Sequence, residues 1–192
     1  MKIDSVPFGM QVMYDFILEE IGVLINKIDF DNAHELTELI VSKQQKRIFV
    51  AGKGRSGLIS KAFAMRLLHL GFDVSVVGET TTPAIHEGDL LIISSGSGSY
   101  IIDKGDKNFE LVGITTDKDS NLAKRADLTI ILPAVSKVRD KSKIFDQFIS
   151  IQPMGSLFEQ ILFIFLEGVV LYLMMRLSIY STEMFTRHAN VE

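Results

Sequence analysis

Apolar side chains recur at helical spacing at the start of the chain. Val6, Met10, Met13, Phe16, Ile17, Ile21, Leu24 and Ile28 share one side of a 3.6-residue wheel, while Glu19, Glu20 and Lys27 fall elsewhere. This predicts an amphipathic helix. A second is expected from Asp31, read as its N-cap, through Ala33, Leu36, Leu39 and Ile40, stopping in the polar run 42–46. The period then changes. Short β-rich runs at 47–51, 73–77, 89–94, 110–115 and 128–132 are continuous in apolar residues rather than alternating, the mark of strands buried on both faces. A helix over 56–70 and a short one over 120–125 lie between them. The interval 97–109 carries Gly105 and the run DKGDK, which argue against a full-length helix and predict a turn or loop. After the fifth run, 133–153 reads as irregular, 157–175 as one long apolar helix and 181–192 as a polar tail. Strand and helix alternate through the middle of the chain, so the pattern predicts a parallel, doubly wound α/β sheet.

A length of 192 residues is enough for one domain, taken as 1–192, with a core that offsets chain entropy. With 20 basic and 24 acidic residues the net charge is -4, without the basic excess that neutralises nucleic-acid phosphates or anionic lipid. Nucleic acid and membrane are therefore not expected partners. The chain contains no cysteine, which excludes disulfides, thiolate catalysis and cysteine-held metal. Its start, MKIDSVPFGMQ, lacks the basic and apolar regions of a secretory signal, so the expected location is cytoplasmic. The apolar stretch 157–175 approaches the roughly 20 residues a membrane span needs. Glu159, Gln160 and Glu167 interrupt it, so it is read as a helix buried in the core or in an interface between chains.

Two loops could carry chemistry. Gly52-Lys53-Gly54-Arg55-Ser56-Gly57 directly follows a strand run and opens a helix. Its glycines let backbone amides approach an anion, the helix N-terminus adds partial positive charge, and Arg55 and Ser56 add a fixed charge and a hydroxyl. A plain tight turn would use the same glycines. The run also satisfies GxGxxG, and Glu79 ends the next strand run, so a nicotinamide-binding protein is a rival reading. The second loop, Ser94-Ser95-Gly96-Ser97-Gly98-Ser99, follows the third strand run, where ligands of open α/β sheets collect. A flexible serine-glycine linker would share its composition but not its place at the end of a buried strand. Neither the four histidines nor their neighbours form metal-ligand spacing such as HExxH, and no metal is expected.

The blocks VAGKGRSGLISKAFAMRLLHLGF, VVGETTTPAIHEGDLLIISSGSG, IQPMGSLFEQ and EMFTRHANVE, in that order and spacing, resemble successive blocks of 6-phospho-3-hexuloisomerases. The resemblance implies the sugar-isomerase (SIS) fold: a three-layer sandwich around a five-stranded parallel sheet of flavodoxin-like topology, with extra N-terminal helices and a long C-terminal one. It implies interconversion of a 3-hexulose 6-phosphate and fructose 6-phosphate without a cofactor, the second step of formaldehyde fixation through ribulose monophosphate, by a homotetramer. The site residues it implies are Gly54, Arg55 and Ser56, with Ser95, Gly96, Ser97, Gly98, Ser99 and Tyr100, for the phosphorylated sugar. Glu159 would be the catalytic base and His188 would assist proton transfer. Two departures stand out. Lys53 occupies a position usually small, and Ser99-Tyr100 replaces the usual Glu-Thr before a segment that is several residues shorter. Rivals remain: another SIS isomerase, or a sugar-phosphate sensor using the same loops, although 1–46 holds no basic recognition helix.

Overall fold

The computed structural model describes residues 9–102, 104–105, 107–134 and 150–191. Val6 of the first apolar stripe, two positions of the 97–109 interval and 135–149 of the irregular segment lie outside them. Helices α1 (Gly9–Ile25) and α2 (Phe30–Val41) precede β1 (Arg47–Gly52), α3 (Gly54–His69), β2 (Asp73–Val76), β3 (Leu90–Ser94), β4 (Glu110–Thr115) and β5 (Leu128–Ile131). The long α4 (Ser156–Leu177) and the short α5 (Ser181–Thr186) follow.

Three local readings change. The N-cap of α2 is Asp29, not Asp31: the Asp29 carboxylate accepts from the amides of Asp31 at 3.0 Å and Asn32 at 3.2 Å. Asp31 instead sits in the first turn, where its charge complements the helix dipole. Residues 120–125 form consecutive turns rather than a helix. The Ser120 hydroxyl caps the Ala123 amide as at a helix start, but the bonds that follow, Lys124 to Ser120 and Arg125 and Ala126 to Leu122, end within one turn, too few to repay helix nucleation. Part of the polar tail is helical, because the Tyr180 carbonyl accepts from Glu183 and Met184 while Met184 is buried in the core.

The five strands are all parallel in the order β2-β1-β3-β4-β5. The chain leaves β1 toward β2 on one side and reaches β3 on the other, so the sheet changes direction between β1 and β3. Their register pairs Gly52 with Ser94, which brings the exits of both strands to the same level. On one face Ile48, Val50, Ile92 and Val112 pack against Leu36, Phe63, Leu67 and Ile161 from the helices. On the other, Phe49, Ala51, Leu91, Ile93 and Leu111 are covered by Phe109 and Leu122, with Ile85, Tyr100 and Ile102 at the margin. Among the described residues no member of this second cluster belongs to a helix, and irregular chain supplies the cover seen there. α4 is long and apolar enough to cross a membrane, yet half of its most apolar window is buried against the rest of the protein.

One contact at the β1–α3 junction tolerates no side chain. A Cβ on Gly52 would fall 2.8 Å from Gly57 Cα, and one on Gly57 would fall 2.7 Å from the Gly52 carbonyl oxygen. Backbone therefore packs directly on backbone. Gly57→Ala is expected to lower unfolding free energy by about 1–3 kcal/mol, the usual cost of overpacking, as measured by urea denaturation.

At the opposite end of α3, His69 is buried. Burial, then the His188 ring and Arg66, hold its imidazole below the ordinary histidine range. The unfolded chain therefore binds a proton near the ordinary value that the folded chain refuses. This contribution to stability is complete above about pH 6.5 and is lost as pH falls below it. The urea midpoint of the native chain should drop more between about pH 7.5 and 5.5 than that of His69→Gln; equal drops would contradict this.

Candidate active site

The first-turn amides of α3 face outward beyond β1 with no competing cap. Lys53 is the N-cap in extended conformation, makes no side-chain capping bond, and no acidic residue lies in the first turn. Gly54 takes φ +60, which glycine reaches without strain. Amides without a capping side chain, together with the dipole, give this end the chemistry that suits an anion. Gly54 and Arg55 are exposed, whereas Ser56 is buried. Its hydroxyl lies 3.0 Å from the Lys53 carbonyl and 3.2 Å from that of Ser94, and donates its one proton to this pair. Ser56 thus ties the glycine loop to the tip of β3.

The serine loop is held from the other side. The Ser95 amide continues the sheet by donating to Ile114. The Gly96 carbonyl accepts from the Thr116 amide at 3.1 Å and the Thr116 hydroxyl at 2.8 Å, with the Thr115 hydroxyl at 3.2 Å. Gly98, at φ +57, lies so close to Ser120 that a Cβ would fall 2.1 Å from its Oγ. These bonds consume the inward-facing groups and leave Ser97 and Ser99, whose hydroxyls are 2.9 Å apart, at the open side. Thr115, Thr116 and Ser120 were not singled out from the sequence. The only signal was a polar pair immediately after a buried strand.

The two loops meet at their rims. Lys53 Nζ stands 5.1 Å from the centre of the Tyr100 ring, a cation–π contact across the cleft between them. Both departures from the family pattern therefore touch each other. On the α4 side, Glu159 lies in the first helical turn, its amide donating to the Gly155 carbonyl at 3.0 Å. Its side chain is 15% exposed and forms an ion pair with the guanidinium of Arg55, which is 67% exposed. Among the described residues Oε2 of Glu159 accepts no hydrogen bond, so the Arg55 charge is what compensates its enclosure. Arg55 thereby joins the glycine loop to the start of α4.

His188 is not brought to this cleft within the chain. It lines a separate cleft of about 280 Å³ with Arg66, His69, Glu167 and Phe185, and its ring lies 5.3 Å from that of His69. His69 ends the 16-residue α3, so about 22 Å of helix separates His188 from the glycine loop. Glu79, the acidic residue of the rival dinucleotide reading, is 2.5 Å from Lys61 on α3.

The SIS domain family model matches residues 42–163, which include both loops and Glu159. A 3-hexulose-6-phosphate isomerase of Bacillus subtilis is 45% identical over 182 residues, covering 92% of this chain and 95% of that protein. One from Mycobacterium gastri is 41% identical, covering 92% and 88%. The solved structure of a hypothetical protein from Methanococcus jannaschii, described as inferring a molecular function of 3-hexulose-6-phosphate isomerase, superposes with a TM-score of 0.72 at 32% identity, covering 94% and 99%. With a 2-1-3-4-5 parallel sheet, two anion-ready loops at its switch point and these likenesses along nearly its whole length, the chain belongs to the SIS domain family.

Proposed function

We propose that this protein is a sugar-phosphate isomerase that interconverts D-arabino-3-hexulose 6-phosphate and D-fructose 6-phosphate. The observation that carries the reading is the Arg55–Glu159 pair, which sets a largely enclosed carboxylate beside two loops suited to a phosphate. Near-full-length relatives named 3-hexulose-6-phosphate isomerase in two bacteria supply the sugar.

The phosphate would sit over the α3 N-terminus, within reach of the Gly54, Arg55 and Ser56 amides, Ser95 to Tyr100 and the Lys53 ammonium. The sugar chain would then extend toward α4. Moving the carbonyl from C3 to C2 requires removal of the proton on C2, formation of a 2,3-enediolate and return of a proton to C3. No net oxidation occurs, so the conversion calls for no redox cofactor. Glu159 is the group proposed to carry that proton. Arg55 holds the carboxylate in place before the sugar arrives, and its positive charge would favour the enediolate when it forms.

His188 can serve this reaction only at the cleft of a neighbouring subunit, given the length of α3 between it and the loops of its own chain. A homo-oligomer, a tetramer by family likeness, is the assembly we infer. Exposed Met10, Met13 and Tyr14 on α1, Leu58 on α3, and Phe163, Leu171 and Met175 on α4 support it, because so much apolar surface is unusual on a monomer. We place the enzyme in the cytoplasm, in the ribulose monophosphate route of formaldehyde fixation.

In an assay that starts from 3-hexulose 6-phosphate and couples fructose 6-phosphate to a dehydrogenase, the native chain should turn over without added nucleotide in the isomerase step. Glu159→Gln should lower kcat by about 10²–10⁴-fold, the range for loss of a general base, while fructose 6-phosphate still binds by calorimetry. A Glu159→Gln variant with native kcat would remove Glu159 from the chemistry.

A further inference from the structure

Glu20 is a buried carboxylate that the reaction above does not use. The apolar pattern puts it off the buried stripe of α1, yet it is only 8% exposed. Three groups of a strap of irregular chain bond to it. Oε2 accepts from the Ser150 hydroxyl at 2.7 Å and from the Gln152 amide nitrogen Nε2 at 2.7 Å, and Oε1 accepts from the Ile151 backbone amide at 3.2 Å. Ser150 Oγ also accepts from the Gln152 backbone amide at 3.0 Å, closing the strap on itself.

Among the described residues the strap has little else to hold it. Ile151 is 70% exposed and Met154 81% exposed, so burial of its apolar side chains contributes little. It forms neither helix nor strand. Hydrogen bonds to a carboxylate are shorter and stronger than neutral ones, so a single anion can fix three successive residues here.

The strap leads without a break into the catalytic turn. The Pro153 carbonyl accepts from the Ser156 amide at 3.0 Å, Gly155 turns at φ +84, and the Gly155 carbonyl accepts from the Glu159 amide at 3.0 Å. Leu157 and Phe158 anchor the first turn of α4 in the core, and what fixes 150–152 sets how the chain enters that turn and presents it to Arg55.

We propose that Glu20 is a positioning residue for the isomerisation, gathering the 150–152 strap so that the first turn of α4 holds the Glu159 carboxylate against the sugar. This rests on the reading of Glu159 as the base. Neither phosphate loop touches Glu20 or the strap through any bond described above, so the effect falls on turnover rather than on phosphate binding.

The test compares the full-length native chain with Glu20→Ala and Glu20→Gln, recording kcat and KM for 3-hexulose 6-phosphate, Kd for fructose 6-phosphate, and Tm. Misplacement of a reacting group by an ångström costs up to about a hundredfold, so Glu20→Ala should lower kcat about ten- to a hundredfold. KM and Kd should stay within about threefold, as expected when an interaction of the transition state alone is lost. Glu20→Gln, which keeps the shape and one acceptor oxygen, should recover part of that kcat. A folded Glu20→Ala with native kcat overturns the proposal, and so does a loss shared equally by kcat, Kd and Tm. Where Glu20→Ala does not fold, native kcat in Glu20→Gln overturns it. If Glu159→Gln keeps native kcat, the base is misassigned and this proposal falls with it; if Glu159→Gln is inactive while Glu20→Ala is not impaired, this proposal falls alone.

Discussion

Backbone packed on backbone at Gly52 and Gly57 is the constraint on which the site depends. A side chain at either position would meet main-chain atoms within 3 Å, so only hydrogen lets β1 turn directly into α3. That closeness aims the uncapped amides of α3 past the end of β1. It also lowers Ser56 to the level of Ser94 on the neighbouring strand, where one hydroxyl bridges the two loops. Arg55, one residue earlier, then emerges on the side that meets α4. Uncapped helix end, inter-loop brace and contact to the carboxylate all follow from one tight junction.

The serine loop reaches the same cleft by a different physical route. Its position comes from bonds made by neighbouring elements: the Thr115 and Thr116 groups at the tip of β4, and the turn at Ser120 pressed against Gly98. These are backbone carbonyls satisfied by hydroxyls and amides, so the loop is rigid while its outer hydroxyls stay available. Pre-set donors of this kind favour an anion because little reorganisation is needed when it binds. Among the described residues the cover on that side of the sheet is irregular chain, and Tyr100 from it reaches back to Lys53. Rigid floor and polar rim are thus built from the same short segment.

Glu159 is held differently again, through charge. It faces Arg55 from the first turn of a helix that buries one side in the core, and the entrance to that helix joins the polar strap at 150–152 to the buried Leu157 and Phe158. Polar anchoring can fix direction where apolar contact fixes only proximity, since hydrogen bonds depend on angle and burial does not. Helix α4 therefore combines an apolar body, which secures it in the core, with an entrance whose orientation is electrostatic.

Order along the chain was legible because it depends on near-neighbour periodicity. The continuous apolar runs of β1, β3 and β4, the glycine spacing at 52–57 and the apolar length of α4 each constrain local backbone, and each element lies within a few residues of its expected place. Asp29 in place of Asp31 and the turns at 120–125 were missed because a cap or a single helical turn is decided by one or two hydrogen bonds, which several neighbouring residues can make. The Arg55–Glu159 pair, the burial of Glu20 under residues 130 or more positions away, and the separation of His188 from both loops came only with the tertiary structure. Distance along the sequence carries no record of which helix faces fold against one another. A carboxylate on a polar stripe looks the same whether water or a distant strap receives it, and only packing of the whole chain decides between them.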